Sequence, residues 1–278
     1  MLSYRHGYHA GNHADVLKHA VFVHILEHLK KKGPFAVVDT HAGPGVYNLA
    51  DTHAQKLREF AGGVERVLSA TGTPPLIARY LEVVRRFRDE YGTTAYPGTA
   101  ALALALRRPG DRIVFHELHP TDVEALRAFA RDQAHTSVHA ADGFKGLLAH
   151  VPPPERRGVA VMDPSYEIKT DYERATAALL RAHRKFATGV FILWYPVVRR
   201  EWVNAMDQRL AGSGVRKVLR LELAVAADTA EHGMTASGVY VINPPYTLPA
   251  AAADALPWLA EALGGPNAAH RCEWLAPE

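Results

Sequence analysis

The chain has 278 residues, of which 48% are hydrophobic and 22% are charged, and its formal net charge is +3 at pH 7. This composition predicts a globular protein with a full hydrophobic core, and its mildly basic charge permits an anionic partner without requiring one. The single cysteine, Cys272, excludes an internal disulfide framework and fits a reducing compartment. No apolar stretch approaches the length of a membrane span and residues 1–13 contain no apolar signal core, so we expect a cytoplasmic protein.

The chain begins with a polar segment that is followed by a helical pattern. Residues 1–13 carry two tyrosines, an arginine, two glycines and no hydrophobic periodicity, which predicts a flexible tail that orders on a substrate. Between residues 14 and 32 the apolar residues recur at helical spacing, and Gly33 ends the pattern. Within this helix, His24 to His28 match the H-x-x-E-H pattern of inverted zinc peptidases, but a solvated helix face explains them better, and no metal is expected.

Seven short apolar runs alternate with helical patterns farther along the chain, which predicts an α/β fold. The runs cover residues 34–39, 112–118, 137–143, 158–162, 188–198, 216–225 and 237–242. Two helical patterns, at residues 55–70 and 75–91, stand between the first run and the second. We therefore expect a small helical insertion at this point, and it is the best candidate for a subdomain that faces the substrate.

Several of the predicted strands end in an acidic residue. Asp39 ends the first strand and precedes a tight glycine turn, which is how doubly wound folds let the backbone approach a nucleoside-like cofactor. Glu117 ends the second strand, where a carboxylate commonly binds ribose hydroxyls. Asp142 and Gly143 end the third strand, and Asp163 ends the fourth. Together these strand ends indicate a cofactor site far more specifically than any one of them does.

The segment Asp163-Pro164-Ser165-Tyr166 suits the alkylation of an exocyclic amino group on a base. Such a nitrogen is a poor nucleophile because its lone pair is delocalised into the ring. The Asp163 carboxylate and the Pro164 carbonyl could accept its two hydrogens and direct the lone pair at an electrophile, and Tyr166 offers a flat face for the base. Asn243-Pro244-Pro245-Tyr246 is a variant of the same motif, but we interpret it as the end of the last strand.

The order of these motifs resembles a class I S-adenosylmethionine-dependent methyltransferase of the N6-adenine type, and more closely the RlmJ family of bacterial 23S rRNA (adenine-N6)-methyltransferases. The matching segments are LSYRHGYHAGNHADVLKH, DTHAGPGVYNL, YPGT, ELHP, ADGF, DPSYEIKTDY, LWYPVV, GMTASG and INPPY. Two departures stand out. Ser165 replaces the second proline of the usual Asp-Pro-Pro-Tyr motif, so we expect activity with a looser turn, and Thr99 stands where the family commonly has serine.

The resemblance implies a Rossmann-like methyltransferase sheet, mostly parallel with an antiparallel last strand, and a helical insertion between the first and second strands. It implies a core at residues 14–53 and 96–278 and an insertion at residues 54–95. The implied cofactor is S-adenosylmethionine, and the implied partner is protein-free 23S rRNA. We expect the protein to be a monomer that does not bind membranes. The residues carried over for the cofactor site are His19, His41, Thr99, Glu117, Asp142, Gly143 and Asp163. Asp163, Pro164 and Tyr166 would serve catalysis, and Tyr4 would contact the RNA.

Two alternatives remain open at this point. One is a DNA N6-adenine methyltransferase, although the sequence contains no separate target-recognition domain. The other is a non-catalytic rRNA-binding protein, for which Ser165 is the only support. Five basic clusters, at residues 30–32, 107–108, 156–157, 184–185 and 199–200, could contact phosphates, and the pair at 156–157 is the strongest candidate because it precedes the strand that carries Asp163.

Overall fold

The computed structural model of the protein describes residues 6–228 and 233–278. The helices within these residues are α1 (His13–Leu29), α2 (Thr52–Leu57), α3 (Val64–Ser69), α4 (Pro75–Tyr91), α5 (Thr99–Leu106), α6 (Pro120–Phe129), α7 (Gly143–His150), α8 (Thr170–Lys185), α9 (Arg200–Ala211) and α10 (Leu248–Leu263). The strands are β1 (Ala36–Asp39), β2 (Val46–Asn48), β3 (Ala95–Pro97), β4 (Arg112–His116), β5 (Thr136–His139), β6 (Gly158–Met162), β7 (Val190–Val197), β8 (Val218–Ala224), β9 (Ala236–Ile242) and β10 (Ala269–Ala276). No helix in these two ranges is long and apolar enough to cross a membrane.

Eight strands form one sheet in the order β10-β8-β9-β7-β6-β1-β4-β5. The five strands β5, β4, β1, β6 and β7 are parallel to one another. Strand β9 runs antiparallel to both of its neighbours, β7 and β8. The predicted α/β class is therefore confirmed, with a mostly parallel sheet and an antiparallel last predicted strand. The sheet has one further strand, β10, which pairs antiparallel with β8 and was not predicted. Most of its side chains are exposed, so it lacks the buried apolar run that marks the other strands.

Helix α1 is buried on nearly all sides because it packs between the sheet and the helices α4, α5 and α10. Helices α7, α8 and α9 cover the opposite face and enclose a second hydrophobic cluster. Two arginines from distant parts of the chain bind the carboxyl end of α1. Arg157 donates to the Leu29 carbonyl over 3.0 Å, and Arg108 donates to the Lys30 carbonyl over 2.5 Å. Their charges also complement the negative end of the helix dipole.

The insertion is framed by the antiparallel pair of β2 and β3 and contains α2, α3 and α4. Helix α4 has the predicted bounds, but the single helical pattern expected at residues 55–70 is divided into α2, a 3-10 helix (Glu59–Gly62) and α3. The first break lies at Arg58, whose φ of 52° is left-handed. The second lies at Gly63, where a Cβ atom would stand 2.1 Å from the Gly11 carbonyl oxygen. This close approach of the N-terminal segment is why the pattern does not form one helix.

Residues 6–12 pack against the insertion. The Gly11 carbonyl accepts a hydrogen bond of 2.7 Å from the Val64 amide, and Glu59 accepts bonds from His9 over 3.0 Å and from Asn12 over 2.9 Å. The Asn12 side chain also caps α1 by accepting from the amides of residues 14 and 15. This differs from the expectation of a flexible tail over residues 1–13, because these polar side chains have partners inside the fold. Residues 1–5, with Tyr4, lie outside the described residues.

Candidate functional site

A cavity of about 290 Å³ opens where β6, β1, β4 and β5 end. Because these strands are parallel, their carboxyl ends meet at one edge of the sheet, and the residues that follow them line a common space. The lining includes eight of the residues that the sequence singles out, namely His19, His41, Thr99, Glu117, Asp142, Gly143, Asp163 and Pro164. Tyr166 is not among the lining residues, and Tyr4 lies outside the described part of the chain.

Asp163 is paired with Lys18 from α1. The Lys18 ammonium group donates to Asp163 Oδ2 over 2.5 Å and lies 2.8 Å from Asp15 Oδ1. Burial opposes the charge of Lys18, but the two carboxylates outweigh it and raise the pKa of the lysine above its usual value. Lys18 therefore stays positively charged. Among the described residues, nothing donates a hydrogen bond to Asp163 Oδ1, so this oxygen is available to a ligand.

Asp15 lies behind Lys18 and is fully buried. Its carboxylate accepts hydrogen bonds from His6 Nε2, at 3.0 and 3.2 Å, and from the Gly11 amide at 2.9 Å. Burial alone would raise the pKa of Asp15, but the neighbouring His6, Lys18 and His19 hold it well below its usual range. A chain of polar contacts thus connects the first described residue, His6, with the carboxylate at the end of β6.

His19 is also buried, and its Nδ1 lies 2.8 Å from the hydroxyl group of Tyr96. The Tyr96 hydroxyl in turn lies 3.0 Å from the hydroxyl of Tyr80 on α4. Burial lowers the pKa of His19 to about 3, so the imidazole is neutral at pH 7. The pair of tyrosines orients this ring at the cavity wall.

Asp39 ends β1 directly beneath the cavity and is completely buried. The Thr99 hydroxyl donates to Asp39 Oδ2 over 2.5 Å, and the His41 amide donates to Oδ1 over 3.1 Å. Burial is stronger than these two bonds and raises the pKa of Asp39 to about 7. Burial of the His41 imidazole lowers its own pKa to about 4. Thr99 thus keeps the hydroxyl function of the serine that it replaces and uses it on Asp39.

Glu117 follows β4 and holds the glycine turn after β1. Its carboxylate accepts from the Gly43 amide over 2.8 Å and from the His119 amide over 2.7 Å. Burial raises the pKa of this carboxyl group, while the two amide donors oppose the rise. The arrangement fixes a carboxylate at the cavity wall, where it can accept hydrogen bonds from a vicinal diol.

Asp142 and Gly143 begin α7 at the end of β5. The Asp142 side chain caps the helix by accepting from the Lys145 amide over 3.1 Å. A Cβ atom on Gly143 would stand only 1.8 Å from the Thr40 carbonyl oxygen, so no other residue fits between α7 and the end of β1. The glycine therefore brings the positive end of α7 against the cavity floor.

The turn after β6 is fixed by Tyr166. This residue has a left-handed φ of 51°, which a side chain rarely adopts, and its hydroxyl donates to the Trp194 carbonyl over 2.6 Å. Its ring packs against Tyr172 at a centroid distance of 4.5 Å. The side chain is half-buried beneath the turn, and Pro164 and Ser165 line the cavity above it. In this structure Tyr166 supports the turn, and its predicted stacking on a base stays a prediction.

The competing motif lies at the other edge of the sheet. Asn243 follows β9, which runs antiparallel to β7, so it is on the side where β6 begins. Its side-chain amide donates to the carbonyls of residues 187 and 189, both over 2.8 Å. The pair Arg156-Arg157 also precedes β6 and therefore lies at this edge, away from the cavity, contrary to the reason for which the sequence favoured it. His24, of the zinc-like pattern, lies 2.9 Å from the Thr247 hydroxyl.

The sequence did not identify Lys18, Asp15 or His6 as members of the site. A signal for the first two was present, since an acid and a lysine at i and i+3 interrupt an otherwise apolar helix, and a buried lysine needs a partner. The identity of that partner could not be read from spacing, because Asp163 is 145 residues away.

Three comparisons relate this chain to known proteins. The family model described as "Ribosomal RNA large subunit methyltransferase D, RlmJ" matches residues 32–276. The chain is 43% identical over 280 residues to "Ribosomal RNA large subunit methyltransferase J" of Escherichia coli K12 and 41% identical over 283 residues to the protein of that name in Haemophilus influenzae, and 100% of each chain is covered in both comparisons. The crystal structure of protein LPL1258 from Legionella pneumophila is 33% identical and superimposes with a TM-score of 0.86 over 96% of this chain and 98% of that one.

Proposed function

Since this chain belongs to the RlmJ family of ribosomal RNA large subunit methyltransferases, we propose that it transfers a methyl group from S-adenosylmethionine to N6 of an adenine in 23S rRNA. The observation that carries this proposal is the convergence of Glu117, Asp142 and Asp163 on one cavity at the carboxyl edge of the sheet. Each acid follows a different strand and is held differently: Glu117 by two backbone amides, Asp142 at the start of α7 and Asp163 by Lys18. Three separately fixed carboxylates at one cavity suit a nucleoside cofactor together with a target amino group.

The residues around the cavity fit S-adenosylmethionine. Glu117 offers a fixed carboxylate for the ribose hydroxyls, and Asp142 offers an acceptor for the amino group of the cofactor's adenine. Leu118 and Phe144, which follow these two acids in the chain and also line the cavity, offer apolar faces to the cofactor. His19, His41 and Thr99 also line the cavity, and Thr99 and the His41 amide both bind the Asp39 carboxyl group. When bound, the cofactor supplies an activated methyl group on a sulfonium ion.

The acceptor pair for the target amino group is Asp163 Oδ1 and the Pro164 carbonyl. Because Lys18 occupies Asp163 Oδ2, the orientation of the carboxylate is set before the base arrives, which reduces the entropy lost in aligning the amino group. The proton that the amino group loses passes to Asp163 or through it to solvent, as the predicted catalytic role of this residue requires.

The proposed substrate is protein-free rRNA. The cavity opens at the sheet edge and is lined by His6 of the N-terminal segment, so an unpaired or flipped adenine would reach Asp163 from the solvent side. Tyr4 is the predicted RNA contact. We also propose that the chain acts as a monomer in the cytoplasm. Activity on duplex DNA and a purely RNA-binding role are the outcomes that the following experiment separates.

The test is methyl transfer from labelled S-adenosylmethionine to deproteinised 23S rRNA from cells that lack this protein, beside assembled large subunits and duplex DNA. We expect label in free rRNA, recovered as N6-methyladenosine after digestion to nucleosides. Asp163→Ala should reduce the rate at least 100-fold, since it removes an acceptor used in the transition state. Asp89→Ala, which removes an exposed carboxylate on α4, should keep the wild-type rate.

The outcomes separate the alternatives. Label on DNA alone would retain the chemistry and refute the rRNA substrate. Label recovered in a methylated nucleoside other than N6-methyladenosine would refute the assignment of the amino acceptor. Calorimetry that shows no binding of S-adenosylmethionine would favour the RNA-binding alternative, whereas near-normal turnover of Asp163→Ala would remove Asp163 from catalysis.

A further inference from the structure

A second candidate for ligand binding lies at the edge of the sheet opposite the cavity. It is formed by the carboxyl end of α1 and the loop between β9 and α10, and we refer to it as the basic patch. Its members are His24, His28, Lys31, Lys32, Arg157 and Tyr246. The cavity is near Lys18 on the same helix, about 15 Å along the helix axis from His28. Nothing in the methyl-transfer site uses these residues.

The positive charges of the basic patch lie close together. Lys31, Lys32 and Arg157 are near enough to His28 to lower its pKa, after the larger effect of its partial burial. Lys31 and Lys32 are exposed, and within residues 6–228 and 233–278 no carboxylate lies within ion-pair distance of either one. Arg157 adds a charge whose guanidinium group is held in place by the carbonyls at the end of α1. A group of neighbouring cations without counter-charges is costly in isolation and favours an anionic partner.

Tyr246 is the most exposed large apolar side chain of the described residues, with 83% of its surface accessible. Its ring contacts the edge of the His28 ring at a centroid distance of 5.9 Å and an interplanar angle of 78°. One ring face is therefore open to solvent, so the tyrosine contributes little to the core. An exposed aromatic ring beside unpaired cations is the combination that binds unpaired nucleotides, because the ring stacks on a base while the cations contact phosphates.

We propose that the basic patch binds a single-stranded segment of the RNA substrate, separate from the segment that presents the target adenine to the cavity. This inference rests on the proposed function, because it assumes an RNA substrate. Tyr246 stacks on an unpaired base, and Lys31 and Lys32 contact the adjacent phosphates. The patch contributes affinity for long RNA and takes no part in the chemistry, since α1 separates it from Asp163.

The test compares two variants with wild type, using deproteinised 23S rRNA and the shortest rRNA fragment that wild type methylates. The first variant is Lys31→Glu/Lys32→Glu, and the second is Tyr246→Ala. We expect both to raise KM for the long rRNA, Tyr246→Ala by roughly 5-fold to 100-fold, with kcat unchanged. For the charge-reversal variant, the slope of log K against log salt should become shallower by about 1.4, because two phosphate contacts to a single strand are lost. Both variants should methylate the short fragment at the wild-type rate.

The matched control is Arg66→Glu/Arg181→Glu, which makes the same change of charge at exposed arginines on α3 and α8. If the control raises KM as much as the lysine variant does, the effect is one of net charge and the proposal is overturned. Wild-type KM in both patch variants overturns it as well. A wild-type enzyme that methylates no rRNA would refute the proposed function, an outcome that the patch variants alone cannot produce.

Discussion

Replacing Lys18 by methionine tests whether the ion pairs behind the cavity hold the fold together. The side chain of Lys18 is 3% exposed, and it lies 2.8 Å from Asp15 Oδ1 and 2.5 Å from Asp163 Oδ2. At an effective dielectric constant of about 20, one charge pair at this separation is worth about 6 kcal/mol, and much of that offsets the burial of the ions. Removing only the cation leaves the negative charges of Asp15 and Asp163 uncompensated. We therefore expect Lys18→Met to lower the free energy of unfolding by about 3–5 kcal/mol.

The assay is urea unfolding followed by circular dichroism at pH 8 and at pH 5. Burial raises the pKa of Asp15 and Lys18 helps to hold it low in wild type, so removing the lysine raises the pKa of this carboxyl group relative to wild type. The folded variant then retains a proton that folded wild type has lost, and it gives up that proton as the pH rises. The deficit should therefore be larger at pH 8 than at pH 5. Adding Asp15→Asn to the variant should recover part of the loss, because one of the uncompensated charges is then absent. Lys145→Met, at an exposed position, should change stability by less than about 0.5 kcal/mol. A deficit below about 1 kcal/mol that is equal at both pH values would refute the reasoning.

Two further predictions concern the floor of the cavity. Gly143→Ala should lower the free energy of unfolding by at least about 1–3 kcal/mol in urea unfolding, because its methyl group would overlap the Thr40 carbonyl oxygen, and it should weaken S-adenosylmethionine binding measured by calorimetry. Asp39→Asn should become more stable relative to wild type as the pH rises from 5 to 8. The folded-state pKa of about 7 exceeds the usual value of 3.8, so wild type loses the stabilising contribution of this carboxyl group through that range, by roughly 2–4 kcal/mol in all.

Each of these predictions has a control. Gly62→Ala adds a methyl group where no atom lies within 4 Å, and it should leave both stability and cofactor binding unchanged. Wild-type affinity for the cofactor in Gly143→Ala would show that α7 can move away from β1 without harm. For Asp39→Asn the comparison with wild type at each pH cancels the titration of the histidines, and a stability difference that does not vary with pH would contradict the raised pKa.

The residues at the carboxyl edge of the sheet were predictable because each one can be identified from the short segment of sequence around it. Asp39, Glu117, Asp142 and Asp163 each follow a recognisable strand, and parallel strands must bring their ends to the same edge. The turn at Gly143 was identified for the same reason. A sequence pattern of this kind shows where each residue lies along its own strand, and the parallel topology then brings the strand ends together.

What could not be predicted depends on contacts between distant segments. The helical pattern at residues 55–70 is broken because the N-terminal segment approaches Gly63, which periodicity within the pattern does not show. Strand β10 has mostly exposed side chains and forms by pairing with β8, so it carries no apolar run. The partner of Lys18 follows from how α1 crosses the sheet. In each case the chemistry of the residue was clear from the sequence, but its contact with a distant segment was not.

The pairing of Lys18 with Asp163 also has a consequence for synthesis of the chain. The two residues are 145 positions apart, and at about 5–20 residues per second the ribosome needs roughly 7–30 s to make the intervening segment. During this interval α1 has neither the sheet against which it packs nor the carboxylate at the end of β6, so its lysine stays hydrated. The cavity can therefore be assembled only after β6 has left the ribosome, and a nascent chain that ends before Asp163 cannot form the amino-group acceptor.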